Sequence, residues 1–216
     1  AKKTVVDDQD WSRVHLKYFN PIQCAEKLWV VPSWHKAPDP SAVNIQLDPG
    51  LAFGTGGHAT TALCLSWLGQ HDIQKKSVID YGCGSGILAI AAYKLGADEL
   101  HSVDIDPQAL DASRENARRN DIDPTLLNIS LPEDFNSEPV DLLIANILSG
   151  PLVEFAPKFA ELVKPGGQIL LSGILETQAN DIKQAYLPYF ELDPICVKED
   201  WIRVSGTRRA STRRHA

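Results

Sequence analysis

From residue 44 onward, short apolar runs alternate with longer segments in which apolar positions recur at helical spacing. Asn44–Leu47 reads as a strand stopped by Asp48-Pro49-Gly50. A Gly-rich loop, FGTGGH (53–58), then opens a helix with the sequence TTALCLSWL. Lys76–Asp80 is a short apolar strand that runs into YGCGSG (81–86) and a second helix, ILAIAAYKLGA (87–97). Leu100–Asp104 is the next strand. The helix after it spans Pro107–Asn120, with proline where its missing N–H costs nothing. Leu127–Leu131 and Asp141–Ala145 are further strands. A helix around Leu152–Val163 ends at the Lys164-Pro165-Gly166-Gly167 turn, Gln168–Ser172 is the next strand, and Glu176–Tyr186 is another helix. Phe190–Lys198 and Trp201–Gly206 close the pattern as two strands.

Strands alternating with helices mean βαβ units and a parallel sheet. Only Glu199-Asp200 separates the last two strands, too little for a crossover helix, so they pair antiparallel as a hairpin. The predicted architecture is α/β: an open, mostly parallel sheet with a C-terminal antiparallel hairpin. Residues 1–45 read as an irregular leader or linker, with a short helix near Asp10-Trp11, an apolar stretch at Leu28–Val31 and the Pro-rich piece KAPDPSA (36–42). Residues 46–207 form the expected catalytic domain, and 208–216 a basic, disordered tail carrying Arg208, Arg209, Arg213 and Arg214.

Composition narrows the function classes. A hydrophobic fraction of 44% and a charged fraction of 23% belong to an ordinary globular chain. A formal charge of −7 argues against direct nucleic-acid binding, which needs clustered Lys and Arg. Lys and Asp interrupt every apolar run before it reaches a membrane-spanning length, and AKKTVVDDQD has no apolar signal core. The expected location is cytoplasmic, with no membrane partner. Cys24, Cys64, Cys83 and Cys196 show no paired spacing and the six histidines no HExxH, so no metal site is expected. The absence of methionine fits a processed product or a piece of something longer.

The chemistry concentrates where strands end. In Val78-Ile79-Asp80-Tyr81-Gly82-Cys83-Gly84-Ser85-Gly86 a buried strand passes through a glycine turn into a helix, so a ligand can approach the backbone closely, with Gly82 and Gly84 nearest. A dinucleotide fingerprint would place its third glycine at 87, which is Ile. Glycines at 82, 84 and 86 behind an acid suit a ligand with an ammonium group and no pyrophosphate. Asp104 ends the next strand, placed to accept both ribose hydroxyls of an adenosine; the competing helix N-cap role suits Asp106 better. Asn146 ends the DLLIA strand. Its neutral amide suits a reaction at an amine, where the nitrogen's hydrogens must be held and its lone pair left free. The loop 47–61 adds Phe53 as an aromatic face, Thr55 as a hydroxyl, and Thr60 or Thr61 as a helix cap. His58 reads either as a general base or, better, as a structural hydrogen-bond partner.

Together LDPGLAFGTG, VIDYGCGSGILAIAA, VDIDPQAL, ANIL, KPGG and SGIL resemble the bacterial PrmA family, methyltransferases of large-subunit ribosomal protein L-eleven, over about Trp11 to Thr207. The resemblance implies the Rossmann-like, seven-stranded S-adenosylmethionine-dependent methyltransferase fold and S-adenosylhomocysteine as product. It implies methylation of lysine side chains and the N-terminal α-amine, a ribosomal protein modification. Donor contacts carried over fall on Thr61, Gly82, Asp104 and Asn146, with Phe53 and Thr55 in the loop before. Asn146 is the expected catalytic residue. The family usually reads Thr-His-Pro-Thr-Thr where this chain has Gly57-His58-Ala59-Thr60-Thr61, and it carries an N-terminal recognition domain. The alternative is a methyltransferase acting on another protein, RNA or a small-molecule amine.

Overall fold

The computed structural model describes residues 19–48 and 57–210. Two sheets form. The smaller has three strands in the order β1-β2-β3: β1 (Ile22–Ala25), β2 (Leu28–Val31) and β3 (Val43–Gln46). The larger has eight strands. Its parallel part runs β6 (Ile129–Ser130), β5 (Glu99–Val103), β4 (Ser77–Tyr81), β7 (Val140–Asn146) and β8 (Val163–Leu175). Strand β11 (Trp201–Arg208) lies antiparallel on β8, and its other edge pairs with β9 (Phe190–Leu192) and β10 (Cys196–Lys198).

Helices α1 (Ala59–Leu68), α2 (Ile87–Lys94), α3 (Pro107–Arg119), α4 (Ser149–Leu162) and α5 (Ala179–Tyr186) cover the sheet. Alternation along the strands assigns the two faces. Val78, Leu142, Ile144 and Leu170 point into a core shared with α1, α2 and the small sheet. Ile79, Leu143, Ala145, Leu171 and Val204 point into a second core under α4 and α5, filled by Phe159, Tyr186 and Phe190. Helix α2 lies between the large sheet and β3, so Ile87–Ala92 are all buried and it shows no polar face.

The βαβ pattern and the antiparallel hairpin between β10 and β11 are as expected. Three details differ. The leader is not irregular: β1 and β2 form a tight hairpin about Glu26-Lys27, and β3 extends it in parallel. Leu28 and Val30 from this hairpin enter the first core, which is why the segment folds. The expected strand Phe190–Lys198 splits into β9 and β10, so the seven strands expected after Asn44–Leu47 become eight. Asp193 turns its side chain to Ser205 Oγ (2.7 Å), and Pro194 beside it has no N–H to offer a ladder. The strand expected over Leu127–Leu131 shrinks to β6, because Asn128 takes a left-handed conformation (φ 40°) after a single 3-10 turn. The Lys164–Gly167 turn survives as a bulge in β8: Val140 pairs with Val163 and Leu142 with Gln168, leaving Lys164–Gly167 looped out opposite Asp141. Among the described residues no helix is long and apolar enough to cross a membrane. The expected helix near Asp10-Trp11 and most of the basic tail lie outside the described residues.

Candidate active site

The carboxyl ends of β4, β5 and β7 meet on one edge of the large sheet, the position where open α/β sheets bind ligands. Strand β4 delivers the glycine loop. Gly82, Gly84 and Gly86 have φ of 83°, 54° and 77°, which side-chain-bearing residues rarely adopt. At Gly82 space also forbids a side chain, since a Cβ would fall 2.1 Å from Ile147 Cγ2. That near-contact seats the loop against the segment that follows Asn146. Gly173 on β8 approaches Ile147 from the other side, where a Cβ would lie 2.2 Å from the Ile147 carbonyl oxygen. Gly82 of the loop and Gly173 of β8 therefore both pack closely on Ile147, the residue after Asn146. Gly173 was not singled out from the sequence; the SGIL segment holds it with no cue to the contact.

Asp104 follows β5 and is tied to both neighbours of the site. Its Oδ2 accepts from Gly84 N (2.8 Å) and its Oδ1 from Asp106 N (3.0 Å). Each carboxylate oxygen has room for about one further donor. Two open acceptor positions at a strand end fit the two hydroxyls of a ribose. Asp106, not Asp104, caps α3, accepting from Gln108 N at 2.9 Å.

Asp80 lies beneath the loop. It is 1% exposed; one oxygen accepts from Ala89 N (3.1 Å), and the other is buried with no partner. Burial is the main cause that pushes its pKa from 3.8 to about 7, with the nearby Asp104 adding to it. The sign follows from linkage. The folded pKa lies above the unfolded one, so the cost of ionising Asp80 is absent below its unfolded pKa and grows as pH rises towards 7. Asp80→Asn should therefore melt above the parent at about pH 8, with the gap narrowing as pH falls towards about 4. Thermal melts across that range check it, and a gap independent of pH contradicts it. The unpartnered acid also suits a cationic ligand group at the loop.

Asn146 ends β7 beside Ser172 of β8. Its Nδ2 donates to Thr61 Oγ1 (3.3 Å), while Oδ1 is buried and without a partner. The structure thus joins two of the expected site residues, but it places Thr61 fully buried, with its hydroxyl turned to Asn146. The cap of α1 is His58, not Thr60 or Thr61: its Nδ1 faces Thr60 Oγ1 (2.8 Å) and Thr60 N (3.4 Å). The His58 ring meets Trp201 of β11 edge-on at 5.1 Å, which brings an aromatic that the sequence presented only as a strand start to this edge. Phe53 and Thr55 lie outside the described residues.

Burial disfavours the nucleophilic thiolate at the two buried cysteines. Burial raises the Cys64 thiol to about 12 and pushes Cys83 up as well. Among the described residues no cluster of His, Cys, Asp and Glu could hold a metal ion. The edge instead offers a glycine loop, a two-acceptor carboxylate, a buried lone acid and an unpaired amide oxygen. This fold and this set of groups define the S-adenosylmethionine-dependent methyltransferases.

The family model described as "Ribosomal protein L11 methyltransferase (PrmA)" matches residues 1–209. A ribosomal protein L11 methyltransferase of Pseudomonas paraeruginosa is 55% identical over 205 residues, 95% of this chain and 70% of that protein. One from Marinobacter nauticus is 55% identical over 206 residues, covering 95% and 69% respectively. The crystal structure of a ribosomal protein L11 methylase from Lactobacillus delbrueckii subsp. bulgaricus superposes with a TM-score of 0.79 at 34% identity, over 89% of this chain and all of that one. A methyltransferase from Pyrococcus furiosus, 15% identical with a TM-score of 0.57, shares the fold alone. The chain belongs to the ribosomal protein L11 methyltransferase family.

Proposed function

We propose that this chain transfers methyl groups from S-adenosylmethionine to amino groups of ribosomal protein L11, lysine side chains and the terminal α-amine, in the cytoplasm. The observation that carries this reading is the Asn146 amide, with its oxygen buried and unpartnered at the strand edge that also holds the glycine loop and Asp104. The bound donor supplies an electrophilic methyl group on a positively charged sulfur. Asp104 holds the ribose, the backbone of Gly82 and Gly84 lines the donor's path, and Asp80 offers charge to its ammonium end. Asn146 accepts hydrogens of the incoming amine, and its Nδ2 bond to Thr61 keeps the oxygen, not the NH2, turned to the substrate. Phe53 and Thr55 are proposed as further donor contacts. No nucleophilic side chain is needed, since the amine itself attacks once neutral and aligned at about 3 Å.

The test is incubation with donor carrying a labelled methyl group and a mixture of dissociated ribosomal proteins and ribosomal RNA. Label is expected on L11. Label on RNA, or on a different protein with L11 unmarked, overturns the substrate assignment.

A further inference from the structure

Helix α3 places two polar side chains on the face it turns to the glycine loop. Ser113 is fully buried, and its Oγ donates to the Gly84 carbonyl at 2.8 Å. Asn116, one turn further on, donates from Nδ2 to the Ser85 carbonyl at 2.9 Å. Gly84 is thereby held through both of its backbone polar groups: its carbonyl by Ser113 and its N–H by Asp104. The helix lies close enough that a Cβ on Gly86 would be 2.9 Å from Ser113 Oγ and 3.2 Å from Ser113 Cα. The N-terminus of α3 completes the circuit, because Asp106 both caps it and donates its N–H to Asp104.

We infer that Ser113 and Asn116 are positioning residues for the methyl donor, fixing the glycine loop and, through Gly84, the carboxylate of Asp104. This rests on the assignment of the loop as the donor site. The physical need is plain. Three glycines at positive φ leave the loop few intrinsic restraints, since glycine reaches other backbone conformations at little cost. Two carbonyls bonded to a rigid helix supply such a restraint. Without the Ser113 hydroxyl the half-buried Gly84 carbonyl loses its donor, and the loop gains by turning it elsewhere. Reorienting Gly84 also loosens the neighbouring peptide, whose N–H bonds Asp104. The Asn146 side chain is held by Thr61 on α1, not by the loop. The loss therefore falls on donor binding and not on the reaction of bound donor.

The experiment is calorimetry with S-adenosylmethionine and S-adenosylhomocysteine on the full chain, combined with steady-state kinetics. Ser113→Ala is expected to raise the Kd of both ligands, and the KM for donor, about tenfold, with kcat at saturating donor within about twofold. Asn116→Ala gives a smaller loss, and Asn116→Asp, which sets an acceptor against the Ser85 carbonyl, a larger one. Asp111→Ala, on the exposed face of the same helix, leaves the Kd unchanged. If Ser113→Ala does not fold, the half-buried Asn116 pair decides. Folded variants that bind as the parent does, or that lose kcat in step with KM, overturn the inference. A parent chain that binds neither ligand instead removes the donor-site assignment beneath it.

Discussion

Asn146→Ala should lose at least a hundredfold in turnover while binding S-adenosylmethionine within a few-fold of the parent. A lysine amine has an unperturbed pKa of about 10.4, so presenting it neutral at pH 7 costs on the order of 4–5 kcal/mol. Desolvation at the strand edge and a neighbouring positive charge both disfavour the ammonium form. The site must then hold the hydrogens of the neutral amine without adding a negative charge, which would favour the ammonium again. The amide oxygen of Asn146, buried and unpartnered, meets both conditions. A hundredfold loss corresponds to about 2.7 kcal/mol of transition-state stabilisation. Asn146→Asp is nearly isosteric, yet it should be comparably impaired at neutral pH, with its pH–rate profile moved upward. Near-normal turnover of the Asp variant at pH 7 would show that Asn146 is structural.

Asp104→Ala should weaken donor binding by at least tenfold. Two charge-assisted hydrogen bonds to the ribose are lost, each typically worth about 1.5–3 kcal/mol. The structure adds a second contribution, because Asp104 also holds Gly84 N and Asp106 N. The ribose is common to donor and product, so affinities for S-adenosylmethionine and S-adenosylhomocysteine should fall together. Calorimetry with both ligands measures this. Unchanged dissociation constants would reduce Asp104 to a turn residue.

The large sheet was legible because three of its parallel strands are apolar runs closed by a strong signal: Asp80 before the glycines, Asp104 before a proline-initiated helix, Asn146 after DLLIA. These same endings carry the site, so fold and chemistry could be read from one pattern. What escaped the pattern depends on contacts distant in sequence. Strands β1 and β2 are four residues each, and only their packing against α1 and α2 marks them as folded. Thr60 and Thr61 looked like caps for α1, but both are buried and His58 takes the role. Gly173 owes its importance to Ile147, which belongs to another strand's exit. Ser113 was the nearest to legible: it shares the buried stripe of α3 with Ala109, Leu110 and Ala117, and a lone hydroxyl on an apolar stripe needs a partner. Its partner, the Gly84 carbonyl, appears only when the helix is folded back onto the loop.

The central claim is that this strand edge moves methyl groups from S-adenosylmethionine to amines of ribosomal protein L11. Intact-mass spectrometry of purified L11, after incubation with the chain and donor, tests it most directly, with Asn146→Ala in parallel. Mass increments of whole methyl groups, mapped to lysine side chains or the α-amine, are expected, and none with the Asn146→Ala protein over the same interval. An L11 mass that stays unchanged while the parent chain binds the donor would contradict it.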